Sequence, residues 1–240
     1  RLCLVGSEMC IRDSNKSDKE IDFAVRNNIN VIVDNDYDLE RLEEISNSFN
    51  RDLEIMIRFT PGIECHTHEY IRTGSFDSKF GFGIEYLNTL FQRISNTKHL
   101  KLNGLHAHIG SQIFELDPHK DLGEIMVSVI LDAKKYGHYI EKLNVGGGLG
   151  IKYVEDDDPP SIDEWVRTIS TSVLKACNKH NLDLPTLMCE PGRSIVSTSG
   201  ITIYKIGAFK KIPGIRTYLS VDGGMSDNPR PITYQSNYSA

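Results

Sequence analysis

The sequence contains no long apolar run, no excess of basic residues and no paired cysteine spacing. A membrane-spanning helix needs about 20 consecutive apolar residues, and no run in these 240 residues approaches that length. The formal charge is -6, from 27 basic and 33 acidic residues, so the chain has no basic stripe to neutralise nucleic-acid phosphates. We therefore expect neither a membrane nor a nucleic acid as a partner.

The cysteines and the first residues indicate the compartment. The five cysteines are odd in number and none has CxxC spacing, which argues against both a zinc ribbon and a disulfide framework. Unpaired thiols are typical of a reducing cytoplasm. The apolar run from residue 2 to residue 6 is too short for a secretory signal, and charged residues soon follow it. These features argue against a secreted, disulfide-stabilised protein.

Strand and helix patterns alternate along most of the chain. The predicted strands are Asn30–Asp34, Leu53–Phe59, Leu102–Ile109, Glu141–Val145 and Thr186–Glu190. The predicted helices are Asp18–Asn27, Asp36–Ser48, Gly83–Thr97, Pro118–Tyr136 and Ile162–His180. Asp36 is predicted to cap the helix that it begins. This alternation is typical of a parallel α/β sheet, either open or closed into a barrel.

The number of strands predicts how the chain divides. A closed barrel of this type has eight strands, so the sequence predicts a partial (β/α)8 TIM-like barrel over residues 15–199, lacking its N-terminal strand or strands. Two β-rich runs, Ile201–Phe209 and Thr217–Val221, then follow without a helix. They predict the start of a truncated C-terminal β domain over residues 200–240. Residues 1–14 fit no element of the repeat and are predicted to be foreign, a cloning remnant or an assembly artefact.

Two motifs follow predicted strands, at the end where a barrel places its active site. In GLHAHIGSQ (104–112), His106 and His108 are two residues apart and are predicted to face the barrel mouth together. From the residues alone, the pair fits a metal site, a structural pair or cofactor stacking. In NVGGGLG (144–150), glycines after a strand can close backbone N–H groups around an anion, and a following helix N-terminus would add its dipole. Tight turns use the same glycines.

Two further motifs carry charge near the same end. CEPGRS (189–194) places Glu190 and Arg193 near one mouth, unless they form an ordinary surface ion pair. In VDGGMSDNPRPITY (221–234), Arg230 and Tyr234 could hold a carboxylate, with the arginine as a bidentate clamp. The alternative for this segment is an ordinary polar loop.

Together the four motifs resemble the diaminopimelate decarboxylase branch of the barrel-type, fold III pyridoxal-phosphate decarboxylases. They occur in that family's order, and the segment PGIECHTHEYIRTGSFDSKFGF (61–82) is also similar to it. The resemblance spans Asn15 to Ala240. It implies pyridoxal-phosphate-dependent decarboxylation of meso-2,6-diaminopimelate to L-lysine and carbon dioxide. This is the last step of lysine biosynthesis, and the resemblance implies a cytoplasmic homodimer.

The resemblance also implies a role for each motif residue. His108 would stack on the pyridoxal ring, and Ser111 would bind the phosphate. Glu190 would face the pyridine nitrogen and favour the protonated ring. The other implied cofactor-binding residues are Gly146, Gly147, Gly148, Gly192 and Arg193. The implied substrate-binding residues are Arg193, Arg230 and Tyr234. His68 and His106 are predicted to be structural, and no metal is expected.

Two parts of the family pattern are absent from this chain. The family's Schiff-base lysine lies on an early barrel strand, and neither Lys16 nor Lys19 occupies that position. The family also uses a Cys-Glu segment of the C-terminal β domain, and none of the five cysteines matches it. Without the lysine, covalent catalysis is lost, so we predict that this chain is a fragment inactive alone.

Three alternatives remain open at this point. The chain could derive from another barrel-type decarboxylase, acting on arginine, ornithine or a polyamine precursor. It could be a metal-dependent barrel hydrolase that uses His106 and His108 as ligands, although the glycine triplet and Glu190 would then have no role. It could also be a non-catalytic homologue that binds a partner.

Overall fold

The computed structural model of the protein describes residues 2–5, 8–11, 16–63 and 79–233. Its strands are β1 (Leu2–Val5), β2 (Glu8–Ile11), β3 (Asn30–Val33), β4 (Leu53–Thr60), β5 (Phe82–Gly83), β6 (Leu100–His106), β7 (Lys142–Asn144), β8 (Thr186–Met188), β9 (Ile206–Ile212) and β10 (Arg216–Val221). Its α-helices are α1 (Asp18–Arg26), α2 (Asp36–Phe49), α3 (Leu87–Ser95), α4 (Asp117–Lys135), α5 (Ile162–His180), α6 (Gly192–Val196) and α7 (Arg230–Thr233), and short 3-10 turns lie at Ile84–Tyr86 and Ser197–Ser199.

The main sheet has the order β1-β2-β3-β4-β6-β7-β8, with β5 paired to β4 off that path. Every neighbouring pair from β2 to β8 is parallel, and β1 is antiparallel to β2. Helices connect successive parallel strands, as such connections require. The sheet is therefore a series of strand-helix-strand units, as the alternating pattern predicts.

The two faces of the sheet bury different residues. Residues on one side of the strands, such as Val31, Ile55 and Leu143, pack with the helices in the main hydrophobic core. Side chains alternate along a strand, so their neighbours point to the opposite, inner face. That face carries a separate small cluster of Ile32, Met56 and Met188. The inner face is thus apolar at its centre.

Nearer the carboxyl ends of the strands, the inner face becomes polar. Arg58, His106 and Asn144 are register partners on β4, β6 and β7, and all three are buried. Register partners on parallel strands point to the same face, so the sequence places a polar layer above the apolar one. A buried polar layer at this end is where a barrel carries its chemistry.

The helix ends follow local capping rules. Helix α5 has the predicted bounds, and it begins with a capping box in which Ser161 and Glu164 satisfy each other's backbone N–H groups. The predicted cap of α2 is wrong by one residue. Asn35, rather than Asp36, caps this helix by accepting from the backbone N–H of Asp38 at 3.0 Å.

The structure differs from the sequence prediction at the N-terminus. Strand β2 pairs in parallel with β3, with Cys10 opposite Asn30 and Ile11 opposite Val31. The expectation that residues 1–14 fit no element of the repeat is therefore wrong for Glu8–Ile11, and α1 does follow a strand. Strand β2 is only four residues long, so its side-chain pattern is a weak signal. The foreign origin of residues 1–14 remains a prediction.

Beyond α6, β9 and β10 form an antiparallel two-stranded sheet of their own. The first strand begins at Ile206, later than the predicted Ile201, and most of its side chains are exposed. The assignment of residues 200–240 to a separate β domain remains a prediction. Among the described residues, no helix combines the length and apolar character needed to cross a bilayer.

Candidate functional site

The loops that follow β6, β7 and β8 meet at the carboxyl end of the sheet. A Cβ atom on Gly146 would lie 2.7 Å from the Ala107 carbonyl oxygen and 2.8 Å from His108 Nδ1. A Cβ atom on Gly147 would overlap the Glu190 carbonyl oxygen. The glycine triplet is therefore required by close backbone approach, and it brings the HAHIGSQ, NVGGGLG and CEPGRS motifs into direct contact.

The glycine loop is shaped by backbone torsions and side-chain contacts. Gly146 and Gly148 have φ values of 66° and 106°, which side chains with a Cβ rarely adopt. The N–H of Gly146 donates to Asn144 Oδ1 at 2.9 Å, and the N–H of Gly147 donates to His108 Nδ1 at 3.2 Å. The side chains of Asn144 and His108 thus fix the conformation of the loop.

One expectation about this loop is wrong. No helix begins directly after the glycines, because α5 begins only at Ile162. The intervening segment contains a turn in which Asp157 accepts from the N–H groups of Tyr153 and Val154, and it ends in Pro159 and Pro160. Proline restricts the residue before it to extended conformations, so the segment runs as a loop. Any anion site there depends on backbone amides and side chains.

Glu190 is a buried carboxylate at the centre of the gathered loops. Its Oε1 accepts from Asn144 Nδ2 at 3.1 Å, and its Oε2 lies 3.5 Å from His106 Nε2. The Glu190 side chain is 5% exposed, and that of His106 is fully buried. The histidines of HAHIGSQ thus have different partners, because His106 contacts Glu190 while His108 contacts the glycine loop.

Arg193 links two hydroxyl groups. Its Nε and Nη2 atoms donate to Ser111 Oγ at 3.2 and 2.7 Å, and Nη1 donates to the hydroxyl of Tyr153 at 2.6 Å. In the described part of the chain, the hydrogen-bonding partners of this guanidinium side chain are neutral. The alternative of a surface ion pair between Glu190 and Arg193 does not match these contacts.

Tyr153 also brings Arg230 to the site. The guanidinium carbons of Arg193 and Arg230 lie 5.8 and 5.7 Å from the centre of the Tyr153 ring. The sequence prediction missed Tyr153, although a tyrosine shortly after a glycine loop is a usable signal.

Two of the residues singled out from the sequence, Tyr234 and His68, lie outside the described residues. Gly192 begins α6, and its N–H donates to the Glu190 carbonyl at 2.7 Å.

The two lysines near the N-terminus have different surroundings. Lys16 is buried, and its Nζ lies 2.5 Å from Asp38 Oδ2, whereas Lys19 is exposed. A second buried ion pair joins Arg58 to Asp34 at 2.9 Å. Burial raises the pKa of Asp38, and the nearby Lys16 ammonium offsets part of that rise. The pairing of Lys16 with Asp38 agrees with a structural role.

The residues present fit pyridoxal phosphate. The Ser111 hydroxyl and the Arg193 guanidinium supply donors that a phosphate group requires. Glu190 supplies a buried carboxylate for a ring N–H, and the His108 ring, which contacts the glycine loop, supplies a flat surface. In the residues that the structure describes, no group of three or more histidine, cysteine or acidic side chains could hold a metal ion.

Comparison with known proteins decides the family. Residues 5–197 match the family model described as pyridoxal-dependent decarboxylase, pyridoxal binding domain. The chain belongs to this family. The diaminopimelate decarboxylase of Synechocystis is 52% identical to it over 234 residues, which are 98% of this chain and 50% of the relative. That of Bacillus subtilis is 39% identical, over 95% of this chain and 53% of the relative.

Solved structures of decarboxylases share the fold. The crystal structure of diaminopimelate decarboxylase from Helicobacter pylori complexed with L-lysine has a TM-score of 0.84 and 30% identity, covering 96% of this chain and 56% of that one. The crystal structure of diaminopimelate decarboxylase from M. jannaschii in co-complex with L-lysine has a TM-score of 0.85 and 28% identity, covering 96% of this chain and 53% of that one. The architecture is therefore a partial α/β barrel. The chain spans about half the length of the curated decarboxylases that it matches.

Proposed function

We propose that the complete protein is a pyridoxal-phosphate-dependent carboxy-lyase that converts meso-2,6-diaminopimelate to L-lysine and carbon dioxide. The observation that carries this proposal is the pair of guanidinium groups, Arg193 and Arg230, gathered at Tyr153 beside the glycine loop. Two cations near one cofactor site suit a substrate with a second carboxylate, remote from the reacting carbon. The names of the relatives support the same reaction.

The cofactor would be held at both ends. Ser111 and Arg193, with the loop from Gly146 to Gly148 and the adjacent Gly192, would bind its phosphate. His108 would lie against the ring face and keep the ring flat. Bound pyridoxal phosphate supplies the electron-accepting ring that takes up the electron pair left when carbon dioxide departs.

Glu190 would hold a proton on the ring nitrogen. A carboxylate beside that nitrogen favours the protonated ring, which is the stronger electron acceptor. Asn144 and His106 contact the two oxygens of Glu190 and so fix the plane of its carboxylate. Burial of this group excludes water, which strengthens the interaction with a ring N–H.

Substrate choice would follow from the arginines. Arg193 and Arg230, assisted by Tyr234, would bind the carboxylate at the far end of diaminopimelate. The same two cations would repel the lone distal ammonium of ornithine or lysine.

We further propose that the complete protein acts as a homodimer in the cytoplasm, with residues 15–199 in the barrel and residues 200–240 beginning a C-terminal β domain.

The test compares the complete reading frame with this 240-residue chain. Both are expressed, mixed with pyridoxal phosphate and examined for the visible absorption band of lysine-bound cofactor and for carbon dioxide released from meso-diaminopimelate. We expect the band and the release from the complete reading frame and neither from this chain. An Arg230→Lys variant keeps the charge and loses the bidentate geometry, so its KM for diaminopimelate should rise.

Three outcomes would contradict the proposal. A complete protein without the band but with bound metal would favour the hydrolase that uses His106 and His108. A protein with the band but with comparable turnover of ornithine would refute the substrate. A protein that binds the cofactor and decarboxylates no amino acid would favour a non-catalytic homologue.

A further inference from the structure

Tyr153 lies on a segment whose backbone is fixed on both sides. Two residues before it, the backbone of Ile151 exchanges two hydrogen bonds with the amide of Gln112, at 2.7 and 3.2 Å. Asp157 accepts from the backbone N–H of Tyr153 itself at 2.8 Å. Gln112 has a φ of 59°, a conformation that residues with a side chain rarely adopt. The structure thus fixes the position of Tyr153 with side chains from two separate loops.

The side chain of Tyr153 contacts both arginines of the site. Its hydroxyl accepts from Arg193 Nη1 at 2.6 Å. The guanidinium of Arg230 lies 5.7 Å from the centre of its ring, within the range of a cation–π contact. One aromatic side chain therefore orients two cations that arrive from different parts of the sequence, 40 and 77 residues away by number.

Two neighbouring guanidinium groups repel each other unless something compensates their charge. The hydroxyls of Ser111 and Tyr153 that accept from Arg193 are both neutral. The negative face of an aromatic ring attracts cations without neutralising them. Arg193 consequently keeps its positive charge for an anionic ligand. Tyr153 holds this guanidinium through its hydroxyl and contacts that of Arg230 through its ring.

We propose that Tyr153 is a positioning residue that determines the preference for substrates with a carboxylate at the end remote from the reacting carbon. It acts through Arg193 and Arg230, whose orientation it fixes. This inference rests on the proposed function, because it takes the substrate to be a dicarboxylic amino acid. It adds a residue that lies outside the four motifs carrying the family resemblance.

The experiment uses the complete reading frame with Tyr153→Phe and Tyr153→Leu substitutions. The first removes the hydroxyl and keeps the ring, and the second removes both. Tyr139→Phe is the matched control, because that tyrosine is exposed and its hydroxyl contacts only Asp183 among the described residues. The affinities for meso-diaminopimelate and for L-lysine are measured by calorimetry in protein freed of pyridoxal phosphate, and KM and kcat are then measured with the cofactor.

We expect Tyr153→Leu to weaken diaminopimelate binding about tenfold and Tyr153→Phe about threefold, from the loss of the ring contacts and of one charge-assisted hydrogen bond. Affinity for L-lysine, which has no second carboxylate, should change less than about twofold in both variants. With the cofactor, KM should rise in the same order and kcat should change little. The control should match the unmodified protein.

The results separate this inference from the proposed function. The complete protein could bind diaminopimelate selectively, lose that affinity in Tyr153→Leu, and yet release no carbon dioxide. That outcome would refute the proposed reaction and support the role of Tyr153. Equal losses of diaminopimelate and lysine affinity in Tyr153→Leu would show a merely structural role and overturn the inference. Unchanged diaminopimelate affinity, or no preference for diaminopimelate in the unmodified protein, would overturn it as well.

Discussion

His119 should make the protein sensitive to mild acid, and a single substitution should remove that sensitivity. This side chain is 1% exposed and packs edge-on against Trp165, with the two ring centres 5.6 Å apart. Among the described residues, neither ring nitrogen of His119 has a hydrogen-bond partner. Burial lowers the pKa of His119 from 6.5 to about 4, because the charged imidazolium is poorly solvated there.

The sign of the effect follows from proton binding in the two states. Above pH 6.5 the imidazole is neutral in both the folded and the unfolded protein, so it adds no pH dependence. As the pH falls below 6.5, the unfolded chain takes up the proton and the folded protein does not, which favours unfolding. With these pKa values, the loss of stability between pH 7.5 and pH 5 is about 2 kcal/mol. It grows to about 3 kcal/mol below pH 4.

The assay is urea unfolding at pH 7.5 and pH 5, followed by the fluorescence of Trp165, which is the single tryptophan of the chain. His119→Phe keeps an aromatic ring beside Trp165 and removes the titrating group. We expect this variant to lose about 2 kcal/mol less than the unmodified protein over that interval. His180→Gln is the control, because it removes an exposed histidine. Equal losses in the unmodified protein and His119→Phe would refute the reasoning.

Three further substitutions test other contacts of the fold and the site. Gly147→Ala places a methyl group against the Glu190 carbonyl, so the glycine loop must move. Affinity for pyridoxal phosphate, measured by absorbance titration, should fall at least about tenfold. Lys16→Met leaves buried Asp38 without its cation and should destabilise the fold by about 3–5 kcal/mol in urea unfolding. Ser161→Ala removes the capping box of α5 and should cost about 1 kcal/mol in the same assay.

The glycine and lysine substitutions each have a matched control. Gly200→Ala adds the same methyl group where no atom lies within 4 Å, so it should leave cofactor affinity unchanged. Arg26→Met breaks an exposed ion pair with Asp22, and such exposed pairs contribute little to stability. If Lys16→Met cost no more than Arg26→Met, the buried pair would not stabilise the fold as described.

The strand-helix series could be predicted from the sequence because its signals are local. Helix α5 has the predicted bounds, Ile162–His180, since its apolar stripe lies within the segment and the capping residues Ser161 and Asn181 directly flank it. Strand β2 was missed because it has only four residues, too few for a clear side-chain pattern. The cap of α2 was placed one residue late because asparagine and aspartate are both favourable caps.

The site was predictable in its residue types and only partly in its contacts. The motifs indicated Glu190 and Arg193 as a charged pair near one mouth, but the structure gives them different partners. Arg193 contacts Ser111, 82 residues away, and Tyr153, 40 residues away. Such contacts depend on which loops the sheet order brings together, and the spacing of residues within a motif carries no information about that order.

The position of Arg193 has a consequence for how the two ligands of the site would affect each other. The Nε and Nη2 atoms of its guanidinium contact Ser111, where the cofactor phosphate would bind, and Nη1 contacts Tyr153, whose ring also contacts Arg230. A ligand that draws the group toward one neighbour changes its fit to the other. Cofactor and substrate affinities are then thermodynamically linked, and any factor by which one ligand alters the other's affinity must be reciprocal.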